Sequence, residues 1–141
     1  LVRLVGNGQN EVEFKQLGQW YEEHTRPGEK LGIYMAGVVR MFAHDRAEDV
    51  VHLPTADSPQ DFIKACYEND ITYVAWATRE GARGGHTGYI QTKLDKNIAM
   101  LSQARSVGPY EFVAQIGSRN AYINVFRLRR PTEAPGSSGP R

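Results

Sequence analysis

Ile71-Thr72-Tyr73-Val74-Ala75-Trp76-Ala77 is seven residues of β-branched, aromatic and small apolar side chains without a breaker, bounded by Asn69-Asp70 before and by Thr78-Arg79-Glu80-Gly81 after. Such a stretch reads as a buried strand. Upstream, Phe62, Ile63, Cys66 and Tyr67 fall on one helical face, with Asp57 or Ser58 as N-cap and Pro59 in the first turn. Downstream, Ile90, Leu94, Ile98 and Leu101 recur at intervals of four, four and three, which predicts an amphipathic helix over Tyr89 to Ala104. A strand set between two helices is the unit of an α/β fold.

The same alternation extends toward both ends. Val12, Phe14, Leu17, Trp20 and Tyr21 predict a helix over Glu11 to His24, with Asn10 as N-cap and Arg26-Pro27-Gly28 as its stop. Leu31 to Ala36 reads as a buried strand, Val38 to His44 as a short helix, and Val50 to Leu53 as a second strand closed by Pro54. After Gly108-Pro109, Tyr110 to Ile116 and Ala121 to Leu128 read as two strands joined by a polar loop, Gly117-Ser118-Arg119-Asn120, of hairpin length. The expected fold is α/β: a three-layer sandwich with a mixed, mostly parallel sheet and a C-terminal antiparallel hairpin. Its elements run αβαβαβαββ, and its expected strand order is 2-1-3-5-4.

Composition bounds the function. The chain of 141 residues is 40% hydrophobic, enough for one ordinary domain without disulfides, and its single cysteine, Cys66, has no internal partner to pair with. A formal net charge of +1 gives no general pull toward nucleic acid. No apolar run reaches the roughly 18–20 residues of a membrane span. Residues 131–141 are mostly Pro, Gly, Ser and Thr, too poor in apolar surface to offset ordering entropy, and read as a disordered tail. Residues 1–10 read as a linker and 11–130 as the folded, soluble domain; a start at Leu1 in place of Met reads as a fragment.

The segment most suggestive of ligand binding is Glu80-Gly81-Ala82-Arg83-Gly84-Gly85-His86-Thr87-Gly88, which lies between a predicted strand and a predicted helix. Backbone N–H groups at that position attract anions, and Arg79, Arg83 and His86 would add positive charge around Gly84 and Gly85. Neither the P-loop nor the dinucleotide fingerprint is matched. The four histidines occupy different elements, and His44, Asp45, Glu48, Asp49 and His52 read as a polar loop, so no metal site is expected. Cys66 sits on the apolar face of its helix, where a cysteine acts as a small hydrophobe. Serines have cap or turn roles, no nucleophile elbow is present, and no catalytic residue or cofactor is assigned. Trp20, Tyr21, Phe62, Tyr67, Tyr73 and Trp76 are expected to line the two faces of the sheet.

Several phrases, taken in order, resemble a known family. Gly18-Gln19-Trp20-Tyr21-Glu22-Glu23-His24-Thr25-Arg26-Pro27-Gly28-Glu29-Lys30 is similar to the helix, Thr-x-Pro-Gly turn and strand start of soluble C-terminal domains in prokaryotic polytopic membrane glycosyltransferases. These are the lipid-phosphate-sugar-dependent type, including protein mannosyltransferases and lipid A arabinose transferases. Ala36 to Arg46, Val50 to Pro54, Ile71-Thr72-Tyr73-Val74 and Asn124-Val125-Phe126-Arg127-Leu128 resemble later segments of such domains. The chain departs from them at Met41-Phe42-Ala43-His44, where paired tyrosines are commoner, and in the glycine-rich segment. The resemblance implies an extracytoplasmic domain carried by a transmembrane region preceding Leu1, whose catalytic carboxylates lie outside this chain. The implied function is non-catalytic recognition of a glycan or protein acceptor, or of a partner. The alternative is a stand-alone α/β domain that binds a phosphorylated or nucleotide-like ligand at Arg79 to Gly88.

Overall fold

A computed structural model describes residues 2–78 and 96–131, with residues 2–11 described by their backbone alone. Helix α1 (Val2–His24) leads into strand β1 (Lys30–Ile33), helix α2 (Ala36–Arg40) and a 3-10 segment (His44–Asp49). Strand β2 (Val50–His52), helix α3 (Pro59–Glu68) and strand β3 (Ile71–Ala77) follow. A 3-10 turn (Ala99–Ser102) and the hairpin of β4 (Tyr110–Gly117) and β5 (Tyr122–Leu128) complete the described elements.

All five strands form one open mixed sheet in the order β2-β1-β3-β5-β4, the order expected from sequence. β1 pairs in parallel with both β2 and β3, while β5 runs antiparallel between β3 and β4. Gly32 sits in the middle of β1 because a Cβ there would stand 2.6 Å from Leu53 Cδ2 and 3.2 Å from Ile71.

Two hydrophobic clusters take alternate residues of β5, as the pleat requires. Ile123 and Val125 join Phe14, Leu17 and Tyr21 of α1 and Ala36 and Val39 of α2. Phe126 and Leu128 join Phe62 and Cys66 of α3, together with Ile98 and Leu101. The aromatic residues divide as expected: Trp20, Tyr21 and Tyr73 belong with the first cluster, and Phe62, Tyr67 and Trp76 with the second. Each large apolar side chain so buried contributes about 1.5–3 kcal/mol.

Capping at α3 follows the expected chemistry, with Ser58 Oγ accepting the Asp61 N–H at 3.1 Å and Pro59 at the start. Other boundaries differ. α1 begins at Val2, so Asn10 lies inside the helix and not at its start. Gly6 and Gly8 cost helix stability but no proline interrupts the backbone. β1 stops at Ile33, three residues before the expected end, since Tyr34 and Met35 turn into α2, which spans Ala36–Arg40 and not Val38 to His44. Of the helix expected over Tyr89 to Ala104, residues 89–95 lie outside the described residues. Residues 96–98 are helical and tighten into the 3-10 turn, with Ile98 and Leu101 buried.

Candidate functional site

The two ends of the sheet have different chemistry. At the amino end of β1 and β2, Arg46 gathers the C-terminus of α1, the turn after it and the 3-10 segment. Its Nη2 donates to the Arg26 carbonyl at 2.6 Å, to Tyr21 Oη at 2.9 Å and to the Glu29 carbonyl at 3.1 Å. Its Nη1 donates to Thr25 Oγ1 at 3.0 Å and to the Thr25 carbonyl at 3.3 Å, while Nε meets Asp49 Oδ2 at 3.2 Å. The guanidinium also lies 4.3 Å from the centroid of the Tyr21 ring. Asp49 Oδ2 in turn accepts the Gly28 N–H at 3.0 Å. Gly28 has φ +94°, a conformation glycine adopts without a Cβ penalty. Only the planar five-donor fork of arginine reaches this many acceptors from one position. Burial pushes the Tyr21 phenol up, and the Arg46 charge partly opposes that rise.

The residues read from sequence as a polar loop serve this scaffold. His44 Nδ1 faces Glu22 at 2.9 Å, His52 Nδ1 faces the Tyr34 carbonyl at 2.8 Å, and Asp49 is held by Arg46 and Gly28. His44 and His52 therefore engage different partners. Among the described residues no three His, Cys, Asp or Glu side chains are placed to share a metal ion. Cys66 is fully buried, and desolvation pushes its thiol up to about 12, against a smaller downward pull from Arg130. A protonated thiol in that setting is not a nucleophile.

The chain leaves β1 for β2 through α2, then returns past β1 to β3 through α3, so the direction of winding reverses between β1 and β3. That reversal is where open α/β sheets bind ligands. Arg79, Arg83, Gly84, Gly85 and His86 follow β3 in sequence and lie outside the described residues. Both flanks of that segment are described. Thr78 Oγ1 accepts the Tyr122 N–H at 3.3 Å, and Asn97 Nδ2 donates to the Ala56 carbonyl at 2.8 Å.

A groove of about 270 Å³ opens at the carboxyl end of β3, where Val12, Glu13 and Gln16 of α1 face Gly117, Ser118 and Asn120 of the β4–β5 turn. Its position follows from the register, since Gly117 pairs with Tyr122, and Ile123 pairs with Ala77 at the end of β3. Glu13 lines this groove although it is only 1% exposed. Gly117 has φ +110°, and a Cβ there would stand 2.3 Å from the Ala121 carbonyl oxygen and 3.1 Å from Glu13 Cβ. Sequence reasoning did not find this groove, because Glu13 reads as a first-turn acid when the helix is begun at Glu11. Arg46 was missed as well. Half of its acceptors are main-chain carbonyls, and these leave no mark on side-chain pattern.

No protein-family profile, no curated protein and no solved structure matches the chain.

Proposed function

We propose that this three-layer α/β domain is a non-catalytic recognition domain of a membrane-embedded, lipid-phosphate-sugar-dependent glycosyltransferase, lying on the extracytoplasmic face and engaging a glycan or protein acceptor or a partner. The observation that supports the reading is the meeting of resemblance segments around Arg46. Tyr21, Thr25, Arg26 and Glu29 come from the first segment, and Arg46 ends the second. Arg40 Nε, also from the second, donates to the Val50 carbonyl of the third at 2.7 Å. Phrases that resemble one family in order thus also cooperate in one packed unit, which is how a family's fold-determining residues behave. The test is fractionation of source cells with an antibody against this domain, followed by deletion of the domain from the intact enzyme. A membrane-bound polypeptide several times larger than 15.8 kDa, with transfer to its acceptor impaired by the deletion, supports the reading. A soluble species near 15.8 kDa refutes it, as does unchanged transfer to every acceptor.

The second reading, a phosphorylated or nucleotide-like ligand bound at Arg79 to Gly88, is favoured by the winding reversal between β1 and β3, because the segment follows β3 at that point. Titration with inorganic phosphate and with a nucleoside diphosphate tests it. Saturable amide shifts at Gly84, Gly85 and His86 support it, and their absence refutes it.

A further inference from the structure

β4 pairs with β5 in register from Tyr110 to Phe112 and again from Ala114 to Gly117, and Val113 is the extra residue between the two runs. A bulge of this kind turns every later side chain of its strand to the face opposite the one that unbroken pairing would give. With it, Gln115 stands opposite Asn124, which in turn stands opposite Trp76 of β3. Unbroken pairing would set Gln115 against Ile123, whose side chain belongs to the first apolar cluster. The bulge therefore delivers an amide to the face that carries Trp76 and Tyr122. Those two rings are 6.2 Å apart between centroids and tilted by 41°, and both are half-buried. Clamping a flat ring takes two parallel faces about 7 Å apart, twice a van der Waals contact, so this pair acts as a shallow platform instead. Asn124 is fully buried; its Nδ2 donates to the Leu101 carbonyl at 2.9 Å and its Oδ1 accepts from Gln115 Nε2 at 2.9 Å. A buried amide is tolerated when its hydrogen bonds are made, and the bonds made here fix the head of the exposed Gln115. With one N–H so committed, that head retains an oxygen that accepts and a second N–H that donates.

We propose that Trp76, Tyr122 and Gln115 form a binding site for one neutral sugar ring, with the two aromatic rings as its floor and the Gln115 amide at its edge. Tyr122 lies on β5, between the strands that carry Trp76 and Gln115, and those strands are two spacings or about 10 Å apart. A ring resting on Tyr122 is therefore flanked by Trp76 on one side and by Gln115 on the other. A pyranose complements this arrangement. One of its faces is a patch of C–H groups that packs on the electron-rich faces of aromatic rings, and its rim of adjacent hydroxyls can donate to and accept from a single amide. The side chains that build the site, the supporting Asn124 included, are uncharged, which matches a neutral ring. Asn124 also holds Gln115 in place before a ligand arrives, so less rotamer freedom is lost on binding. The inference deepens the acceptor-recognition reading by naming a glycan in place of a protein, and it rests on that reading for its biological setting.

The test is a titration of the full chain with the methyl glycosides of glucose, galactose, mannose and N-acetylglucosamine, and with adenosine as a flat aromatic ligand. Chemical shifts are followed at the Trp76 indole N–H, the Gln115 side-chain amide and the Tyr122 backbone amide. Saturable shifts at all three groups with at least one glycoside, at a lower concentration than any produced by adenosine, are expected. The absence of saturable shifts with all four glycosides overturns the proposal, and adenosine binding as tightly or more tightly overturns it in favour of a stacked base. Tyr122→Ala is expected to abolish saturation by the glycoside. Should loss of that half-buried ring prevent folding, Gln115→Ala decides the matter from an exposed position. It is expected to weaken glycoside binding by about fivefold, the worth of roughly one hydrogen bond, whereas unchanged affinity overturns the proposal. These measurements involve neither a membrane nor a transfer reaction. Their failure therefore leaves a membrane-bound parent enzyme standing, while sugar binding by a chain found only in the soluble fraction refutes the transferase reading and retains the site.

Discussion

Replacing Arg46 by lysine keeps the charge and removes the fork, and this separates a structural hub from an ordinary surface ion pair. The arginine side chain is 10% exposed, and it makes six hydrogen bonds to Tyr21, Thr25, Arg26, Glu29 and Asp49. A lysine ammonium carries three donors at one point. It can retain Asp49 and one or two carbonyls, which leaves the rest of the acceptors short of a donor inside a partly buried turn. A hydrogen bond to a charged group is worth about 1.5–3 kcal/mol, but bonds that share one donor group do not add, and water reaches the exposed side. The expected loss for Arg46→Lys is therefore about 2–4 kcal/mol, a large part of the roughly 5–15 kcal/mol available to a domain. Urea unfolding followed by far-UV circular dichroism measures it, with the midpoint lowered and the slope unchanged. A loss below about 0.5 kcal/mol, typical of an exposed ion pair, would show the hub reasoning to be wrong.

Three further outcomes follow from close packing and burial. Tyr110 Oη is buried with no hydrogen-bond partner among the described residues, so Tyr110→Phe is expected to leave stability unchanged or raise it by about 1 kcal/mol in the same urea experiment; a clear loss would mean the hydroxyl is satisfied. Gly117→Ala places a Cβ against the Ala121 carbonyl at positive φ, and a loss of about 2 kcal/mol or more in thermal unfolding is expected. Cys66 should resist alkylation at pH 8 until the chain unfolds. Because folding raises its pKa from 9.0 to about 12, the folded state holds the proton longer, and the thiol lowers stability progressively as pH climbs through that interval. A native thiol that titrates rapidly at pH 8 would contradict this burial.

The parts of the fold legible in sequence are those where a local pattern and the tertiary environment agree. Ile71–Ala77 has no breaker and becomes the strand joining the parallel half of the sheet to its antiparallel hairpin. Ser58-Pro59 marks the start of α3 because its cap chemistry is complete within four residues. The misplaced boundaries are those fixed by distant contacts. α2 begins at Ala36 where Ala36 and Val39 reach the cluster that holds Leu17 and Tyr21, and nothing between residues 34 and 44 announces that contact. The same reasoning covers the site. The glycine-rich segment drew attention by composition, whereas the groove is made by residues more than a hundred positions apart, whose meeting depends on α1 running antiparallel to β1.

That antiparallel run joins the two ends of the molecule mechanically. Tyr21 and Glu13 are eight residues apart on α1, about 12 Å along its axis. Between them, Phe14 and Leu17 are buried in the first cluster. The position of Glu13 opposite Gly117 therefore depends on two restraints, the apolar seam along the middle of the helix and the Arg46 network at its C-terminal end. The seam acts along the whole contact, while the network fixes the helix end against β1 and the 3-10 segment. Loosening the network by Arg46→Lys while Phe14 and Leu17 stay buried should thus lower global stability without moving the groove. Removing Leu17 instead should disturb both ends together. Hydrogen exchange separates the cases, since Arg46→Lys is expected to speed exchange around Thr25 to Glu29 and leave the β4–β5 turn as it was. Equal acceleration at the turn would mean that α1 is held chiefly from its C-terminal end, and that the groove depends on the hub more than on the apolar seam.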